Sequence, residues 1–540
     1  MDQNIKSEIT EDGILIARID MPGRSMNVFS LDMMDSLERL LDHVDGNPSL
    51  RAVVLTSAKQ AFLAGADLDM IRMFTERART DSHEQLHNLC GRLGRLFRRL
   101  EKSRKPYVVA INGLALGGGL EVSLACHARV VADDKGVLLG LPEIKLGLLP
   151  GAGGTQRLPR MIGTRLGLQL LLSGDPLTPR KAHEYGVVDL VVPPAELLDA
   201  ALRIARDMGS KLALWDRPGA TFNSGPFDFT AADAHQQIAD VLGISDELLA
   251  NYPAYRTIMD CVVGGWHMQM DEACHWEMDN FVRLIQDPVA GNMVRTLFLN
   301  RQRAAKLVPK VLEPRVTRVA VVGEGGEAIQ ALLVAGKATL IAPAELGERD
   351  IALLMPGARS ERGIRLAWMD VSANAETVVD DHNGGAAVCL SEATSHGRSL
   401  ELVLSSPDPL AHDAGILLGR WLRATVVPTM GKHSLLVSLR DAQARARQLQ
   451  CSVEDELLAV ALVAQKVWSE GGVDDVDLAD VAAVIGGLHP AYTGGPFNYL
   501  RQIGLAPLSS RLATASDDFR QSFAVPEFQP ALLERLLKKV

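Results

Sequence analysis

The chain has 540 residues, of which 47% are hydrophobic and 23% charged, and it carries a formal net charge of −10. This length predicts two to four domains, and the composition is typical of a globular protein. Because nucleic-acid binding needs clustered lysines and arginines, the acidic balance argues against a nucleic-acid partner. The apolar runs are too short for a membrane span, and no basic segment followed by an apolar run opens the chain.

The six cysteines are scattered, and none of them forms a CxxC pair. Cysteines in this arrangement are typical of reduced thiols rather than of a disulfide scaffold. Together with the missing signal peptide, they predict a cytoplasmic protein. The sequence shows no internal repeat.

The first two hundred residues alternate between short apolar runs and helical spacings. Residues 14–19, 52–55 and 107–111 are predicted strands, and the last of them is almost continuously apolar. Residues 31–44 have the apolar spacing of a helix. The alternation predicts an α/β domain over residues 1–200.

A glycine-rich turn follows the strand at 107–111. Gly117, Gly118 and Gly119 precede a helix predicted over 120–126. The first N–H groups of a helix have no partner within it and lie at the positive end of the helix dipole. Such groups can stabilise an oxyanion that develops on a carbonyl.

Two carboxylates accompany this turn. Glu121 lies just inside the predicted helix, and Glu143 follows Pro142 in a segment predicted to be extended, from which it could face Glu121. A pair of carboxylates can divide the work of general acid and general base. Each feature also has an ordinary structural explanation, such as Asp67 capping a helix that begins at Leu68. The ordered combination favours an active site.

Residues 201–315 are predicted to be a helical linker region. Turn-forming residues cluster over 216–226, and helical periodicity follows over 233–310. We interpret the large side chains of that stretch, such as Trp266 and Met270, as core or domain-contact residues.

A second α/β region is predicted over 316–416. A strand at 316–322 meets a glycine turn at 323–328 with GxGxxA spacing, and a helix follows. Residues 417–540 are predicted to be mostly helical.

Several segments of the first domain resemble the enoyl-CoA hydratase/isomerase (crotonase) family. They are residues 61–68, 111–121, 141–147 and 150–159, extended by 177–182 and 186–189. The resemblance covers residues 10–200 and implies a ββα spiral domain that acts on acyl-CoA thioesters without a cofactor.

The resemblance also implies roles for individual residues. The N–H groups of Ala66 and Gly118 would bind the thioester oxygen, while Glu121 and Glu143 would hold a water that adds across a trans-2,3 double bond. The same pair of glutamates could instead shuttle a proton in double-bond isomerisation. The implied substrate-binding positions are Ala64, Gly65, Asp67, Gly117 and Pro142.

Residues 251–254, with Glu277 and Phe281, resemble the linker region of bacterial fatty-acid oxidation multifunctional α subunits, which fuse a hydratase to a 3-hydroxyacyl-CoA dehydrogenase. Residues 474–478 and 489–497 resemble the end of that dehydrogenase. The dehydrogenase pattern is degenerate, because Glu324 and Glu327 would oppose a pyrophosphate and the family's His-Phe-Phe-Asn-Pro segment is missing. We therefore expect a shortened Rossmann-like domain and no bound NAD. Two alternatives stay open at this point: a bifunctional hydratase/dehydrogenase and a non-catalytic acyl-CoA-binding or assembly subunit. The expected partners are an acyl-CoA substrate and either further copies of the chain or a thiolase-like subunit.

Overall fold

The computed structural model of the protein describes residues 3–307, 318–369, 386–404, 408–430, 434–523 and 530–537. The chain divides into two compact units, Met1–Gly291 and Asn292–Val540. The predicted boundary between 315 and 316 lies outside the described residues. The four-part division as a whole stays a prediction.

The first unit is built on a six-stranded sheet whose strands lie in sequence order. The two amino-terminal strands pair antiparallel, and every later pair is parallel. The central strands are buried on both faces, which explains their continuous apolar runs. The strands are Ile5–Ile9, Ile14–Ile19, Ala52–Ser57, Tyr107–Ile111, Ala128–Ala132 and Leu190–Val192.

A second, three-stranded parallel sheet consists of the short strands Leu63–Ala64, Ala115–Leu116 and Leu139–Gly140. Each short strand follows one long strand of the large sheet and precedes a helix. This unit of long strand, short strand and helix occurs three times in succession, so the fold is a crotonase-like α/β spiral. The repeat is structural and left no repeated sequence pattern.

Helices cover the sheets of the first unit. The helix predicted over 31–44 runs from Leu31 to Gly46, and the Ser30 hydroxyl caps it by accepting from the Met33 N–H. The further α-helices are Leu68–Arg77, His83–Cys90, Arg92–Glu101, Gly118–Ala125, Gly154–Ile162, Thr164–Ser173, Pro179–Glu184 and Leu197–Asp207. Short 3-10 helices are Glu143–Leu146, Pro194–Glu196 and Leu214–Asp216.

Most of the predicted helical linker belongs to the first unit. Its helices Ala234–Leu242, Asp246–Asn251, Pro253–Gly265 and Met270–Gln286 come before the division at 291. The Gln156 amide donates to the Cys261 carbonyl, and buried Trp266 accepts from Arg160 through its carbonyl. Their apolar faces and buried polar groups contribute to the core of the first unit.

The second unit contains a seven-stranded sheet in which only the pair Ala386–Leu390 and Ser399–Leu404 is antiparallel among the described strands. In spatial order the strands are Thr339–Leu340, Arg318–Val322, Ile351–Leu354, Ile364–Met369, Ala386–Leu390, Ser399–Leu404 and Thr425–Met430. The predicted boundary at 416 falls within the helix Pro409–Trp421, and the strand that follows this helix pairs with Ser399–Leu404.

The rest of the described second unit is mainly helical. Its described helices are Val294–Asn300 (a π-helical stretch), Arg301–Leu307, Glu327–Ala335, Pro409–Trp421, Leu435–Gln448, Val453–Ser469, Val476–Ile485, Pro496–Ile503, Leu505–Thr514, Asp517–Ser522 and Pro530–Leu537, with short 3-10 helices at Pro343–Glu345 and Ala491–Thr493. The helix Pro288–Met293 crosses the division between the units. Among the helices that the structure describes, none has the length and apolar character needed to cross a membrane.

Candidate active site

The three short strands place the predicted site segments side by side. Ala64 pairs with Leu116, and Leu116 pairs with Gly140. Each of these residues stands just before a helix, so the segments that follow the three strands are also neighbours. This arrangement brings together the stretches that carry Ala66, Gly118 and Glu143, which lie far apart in the sequence.

The two N–H groups predicted to bind the thioester oxygen are Ala66 and Gly118. Within the described ranges, neither of them donates to a protein acceptor. Gly118 is the first residue of its helix, where the N–H has no intrahelical partner. The Ala66 peptide is fixed by its neighbours, since the Phe29 N–H donates to Gly65 (2.9 Å) and the Asp67 N–H donates to Phe29 (2.8 Å).

Gly117 forms the turn between the strand Ala115–Leu116 and the helix Gly118–Ala125. Its φ of 55° and ψ of −126° lie in a region that side chains disfavour. A Cβ at this position would lie 2.6 Å from Glu143 Oε1. Only glycine therefore permits both the turn and the close approach of the Glu143 carboxyl.

Glu121 lies in the first turn of the following helix, as predicted, and its side chain is buried. Its Oε1 accepts hydrogen bonds from the N–H groups of Ala152 (2.8 Å) and Gly154 (2.9 Å). These donors fix one carboxylate oxygen, and they stabilise the ionised form of the side chain.

Another buried carboxyl, Glu277, supports the same loop from the helix Met270–Gln286. Its oxygens accept from the N–H groups of Gly153 (2.6 Å) and Thr155 (3.0 Å) and from the Thr155 hydroxyl. Successive N–H groups of residues 152–155 thus donate alternately to Glu121 and to Glu277.

Arg157 also holds the loop at 152–155, through a backbone carbonyl rather than through N–H groups. Its side chain is fully buried, and Nη1 donates to the Ala152 carbonyl (2.7 Å). Its Nε donates to Glu101 Oε1 (2.8 Å), so the guanidinium charge is paired. A buried pair of this kind is costly to break, by about 3–5 kcal/mol, because one charge is then left without a partner.

Glu143 does not lie in an extended segment, and this expectation is corrected. It opens the 3-10 helix Glu143–Leu146, which Gly147 ends with a φ of 71°. Pro142 enters the helix with φ −84° and ψ 10°, so the chain is already turning at the proline. Glu143 is partly buried, and its Oε2 atom is buried without a hydrogen-bond partner among the described residues.

The environments of the two predicted catalytic carboxyls differ. Burial raises the pKa of Glu143 well above its ordinary value, and the charge of Glu121 raises this pKa further. Burial also raises the pKa of Glu121, but its hydrogen bonds from Ala152 and Gly154 act in the opposite direction. Glu143 is therefore the carboxyl that holds a proton more firmly, and Glu121 is the one that ionises more readily.

Asp67 acts as a helix cap. Its Oδ1 accepts from the Asp69 N–H (3.0 Å), and the buried carboxylate pairs with Arg24. Asp67 therefore caps the helix Leu68–Arg77, as its position before that helix suggested. A role for Asp67 in substrate binding stays a prediction. The other predicted substrate-binding residues line the same turns, with Ala64, Gly65 and Pro142 partly exposed and Gly117 buried.

Sequence reasoning gave no role to Glu277, Glu101 or Arg157. A signal for Glu277 was present, since it lies between Ala273 and Phe281 at four-residue spacing on the apolar face of its helix. A carboxyl at such a position needs hydrogen-bond donors from another element. The sequence did not reveal which element would supply them.

Comparison with known proteins finds a family match over the segments that carry the predicted site residues. The enoyl-CoA hydratase/isomerase family model matches residues 10–215. These residues belong to the enoyl-CoA hydratase/isomerase family. The hydratase/isomerase domain thus carries every predicted site residue.

Relatives and solved structures are similar to parts of the chain. The fatty acid oxidation complex subunit alpha of Shewanella frigidimarina is 34% identical over 321 residues, which is 58% of this chain and 44% of that protein. The same subunit of Shewanella amazonensis is 33% identical, covering 60% and 45%. An enoyl-CoA hydratase structure from Bacillus anthracis is 32% identical, with a TM-score of 0.35, covering 47% of this chain and 96% of that one. The chain thus spans less than half the length of the curated relatives described here.

Proposed function

We propose that the hydratase/isomerase domain adds water to a trans-2-enoyl-CoA thioester. The observation that carries the proposal is a combination of two features. The N–H groups of Ala66 and Gly118 make no hydrogen bond to an acceptor among the described residues, and the carboxyls of Glu121 and Glu143 differ in their affinity for a proton. Donors aimed at a developing oxyanion typically contribute about 10²–10³ in rate. The carboxyl pair supplies a base and an acid without a cofactor.

In the proposed reaction, the thioester oxygen accepts hydrogen bonds from Ala66 and Gly118. Ionised Glu121 takes a proton from a water, whose oxygen forms a bond to C3 of the substrate. The π electrons move onto the thioester as an enolate. Protonated Glu143 then gives its proton to C2, and the proton on Glu121 returns to Glu143 through solvent before the next turnover.

The test is the loss of enoyl-thioester absorbance with a short and a long trans-2-enoyl-CoA. We expect turnover with at least one of them, and no turnover at any chain length would contradict the proposal. Glu121→Gln and Glu143→Gln should each abolish most of the activity, while CoA-ester affinity stays close to that of the wild type.

Isomerisation of the double bond is a second candidate activity of the same site. Glu143 Oε2 is buried without a hydrogen-bond partner among the described residues, so it could take a proton at one carbon and return it to another. Conversion of a trans-3-enoyl-CoA to the trans-2 isomer would reveal this activity. Its loss in Glu143→Gln but retention in Glu121→Gln would assign the proton shuttle to Glu143.

For the second unit we propose a structural role without dehydrogenase activity. Its glycine turn joins the strand Arg318–Val322 to the helix Glu327–Ala335, as a dinucleotide site requires. The exposed carboxylates of Glu324 and Glu327 stand at this turn, and repulsion would oppose a pyrophosphate there. The residues present therefore fit a dinucleotide poorly.

The bifunctional alternative is tested with NAD and a 3-hydroxyacyl-CoA. We expect no NADH, and robust NADH formation would show that the second unit is an active dehydrogenase. A chain that binds acyl-CoA but neither hydrates nor isomerises it would instead support the non-catalytic alternative.

The assembly of the chain is also a proposal. The relatives described above are named as subunits of a complex. We propose that this chain likewise assembles, either with further copies of itself or with a thiolase-like subunit. Sedimentation of the purified chain, alone and with a candidate thiolase, separates these two possibilities.

A further inference from the structure

Four side chains of two helices in the first unit form what we name the histidine cluster: His83, His87, His275 and Asp279. The last three could hold a metal ion, and His83 Nε2 lies beside Asp279 Oδ1. The helix His83–Cys90 supplies the first two and the helix Met270–Gln286 the other two. The two helices pack against each other. The cluster lies outside the proposed hydratase site.

Each helix supplies its pair at positions four residues apart. Such pairs project from the same face of a helix, one turn above the other. Two histidines with this spacing form a familiar zinc-binding element when a third ligand comes from elsewhere. Here the facing helix offers a histidine and an aspartate with the same spacing.

Three of the four side chains, His87, His275 and Asp279, lie close enough together to share one bound ion. Asp279 Oδ1 lies 3.0 Å from His83 Nε2 and 3.7 Å from His87 Nε2, and Asp279 Oδ2 lies 3.7 Å from His275 Nε2. In a tetrahedral site with metal–ligand bonds of about 2.0–2.1 Å, neighbouring ligand atoms are about 3.3 Å apart. Ligand atoms of His87, His275 and Asp279 all lie within 4.8 Å of one another.

His87 provides an independent indication. Its Nε2 atom is buried and, within the described residues, makes no hydrogen bond. A buried polar atom without a partner is uncommon and calls for an explanation. A metal between His87 and Asp279 would supply the missing partner. His275 is 65% exposed, so an ion could enter from solvent on its side.

We propose that the histidine cluster binds a divalent transition metal of the zinc type and that this metal fastens the helix His83–Cys90 to the helix Met270–Gln286. Imidazole and carboxylate ligands suit such ions, whereas Mg²⁺ and Ca²⁺ prefer oxygen ligands throughout.

The position of the cluster gives the metal a structural consequence. Glu277 is two residues beyond His275 on the same helix, and its carboxyl group accepts hydrogen bonds from Gly153 and Thr155. A cavity of about 260 Å³, lined in part by His275, Glu277 and Gly153, lies between the cluster and that loop. The metal would stabilise the helix that supports the loop without taking part in the chemistry.

The test uses the full chain without a histidine tag, stripped of metal with a chelator and titrated with Zn²⁺ and with Co²⁺. We expect one equivalent to bind with micromolar or tighter affinity, and bound Co²⁺ to show the visible absorbance of a tetrahedral site. Zinc at about a hundred times its dissociation constant should raise the thermal midpoint by about 5 °C.

His275→Gln should weaken zinc binding about tenfold or more, and its exposed position should leave the fold intact. His235→Gln is the matched control, because His235 pairs with Asp260 at 2.8 Å but belongs to no such cluster among the described residues. The absence of stoichiometric Zn²⁺ and Co²⁺ binding, or equal binding by both variants, would overturn the proposal. Hydratase activity is measured separately, so its failure would not affect this result.

Discussion

Glu143 in the first unit and Glu401 in the second differ in how many of their carboxyl oxygens have hydrogen-bond donors. In the second unit, Glu401 accepts from Thr429 (2.9 Å), Leu435 (2.8 Å), Leu436 (3.0 Å) and the Ser434 hydroxyl, so both of its oxygens have donors. In the first unit, Glu143 has a buried Oε2 with no partner among the described residues.

This difference in hydrogen bonding indicates which of the two carboxyls is available to react with a ligand. Burial raises the pKa of both side chains, since neither is well solvated. Both oxygens of Glu401 accept hydrogen bonds at the start of the helix Leu435–Gln448. Glu143 Oε2 has no such donor among the described residues and can exchange a proton with a ligand. Burial of a carboxyl does not by itself identify an active site, but a buried carboxyl oxygen without a hydrogen-bond donor favours one.

Glu143→Gln should cause the largest effect on activity. Removing the acid should lower the hydratase kcat by about 10²–10⁴, the usual range for a positioned proton donor. Because Glu143 makes no hydrogen bond through Oε2, the unfolding midpoint should change little. Steady-state kinetics and urea unfolding measure the two quantities.

Glu401→Gln is the matched control for that variant. Its amide nitrogen would face donors, so we expect a loss of about 1–3 kcal/mol in stability and an unchanged hydratase kcat. If Glu401→Gln abolished hydration while Glu143→Gln did not, the comparison between the two glutamates would be wrong.

Gly117→Ala should lower kcat by about 10²-fold, because displacement of a reacting group by about 1 Å can have an effect of this size. The new Cβ would lie 2.6 Å from Glu143 Oε1, in a backbone region that alanine disfavours. Gly325 in the second unit also has a positive φ, of 79°, but nothing lies within 4 Å of its Cβ position.

Gly325→Ala should therefore cost some stability and leave the hydratase kcat unchanged. Equal losses of kcat in the two alanine variants would mean that positive φ, and not the approach to Glu143, explains the effect.

Glu277→Gln should lower kcat about tenfold, a smaller effect because Glu277 acts through the loop at 152–155. A glutamine offers one acceptor oxygen where Gly153 and Thr155 both donate. The shift should appear in kcat more than in KM, since the loop orients Glu121. A change confined to KM would contradict a positioning role.

The smallest expected effect is on the pH dependence of stability. Burial and the neighbouring Glu121 raise the pKa of Glu277 to about 8, from 4.5. Between these values the folded chain holds a proton that the unfolded chain has lost, so unfolding releases it and this contribution to stability falls as the pH rises. The difference in urea midpoint between wild type and Glu277→Gln should shrink from pH 5 towards pH 8. A difference in urea midpoint that grows from pH 5 to pH 8 would contradict the raised pKa of Glu277.

Much of the hydratase/isomerase domain could be predicted from its sequence. The strands and the helix that starts at the glycine turn follow from apolar spacing and from the turn itself, and Asp67 was already recognisable as a possible cap. The family segments also located Glu121 and Glu143. The helices after 233 were predicted, but not that most of them complete the first unit.

The sequence by itself determined the local elements, because apolar periodicity, glycine and proline act over a few residues. Only the tertiary structure decided that Glu277, 156 positions beyond Glu121, holds the other side of the same loop. It also decided that Glu143 opens a 3-10 helix and that His87, His275 and Asp279 meet across two helices. Those outcomes depend on which distant donors and ligands come within about 3 Å, and no local pattern records such a distance.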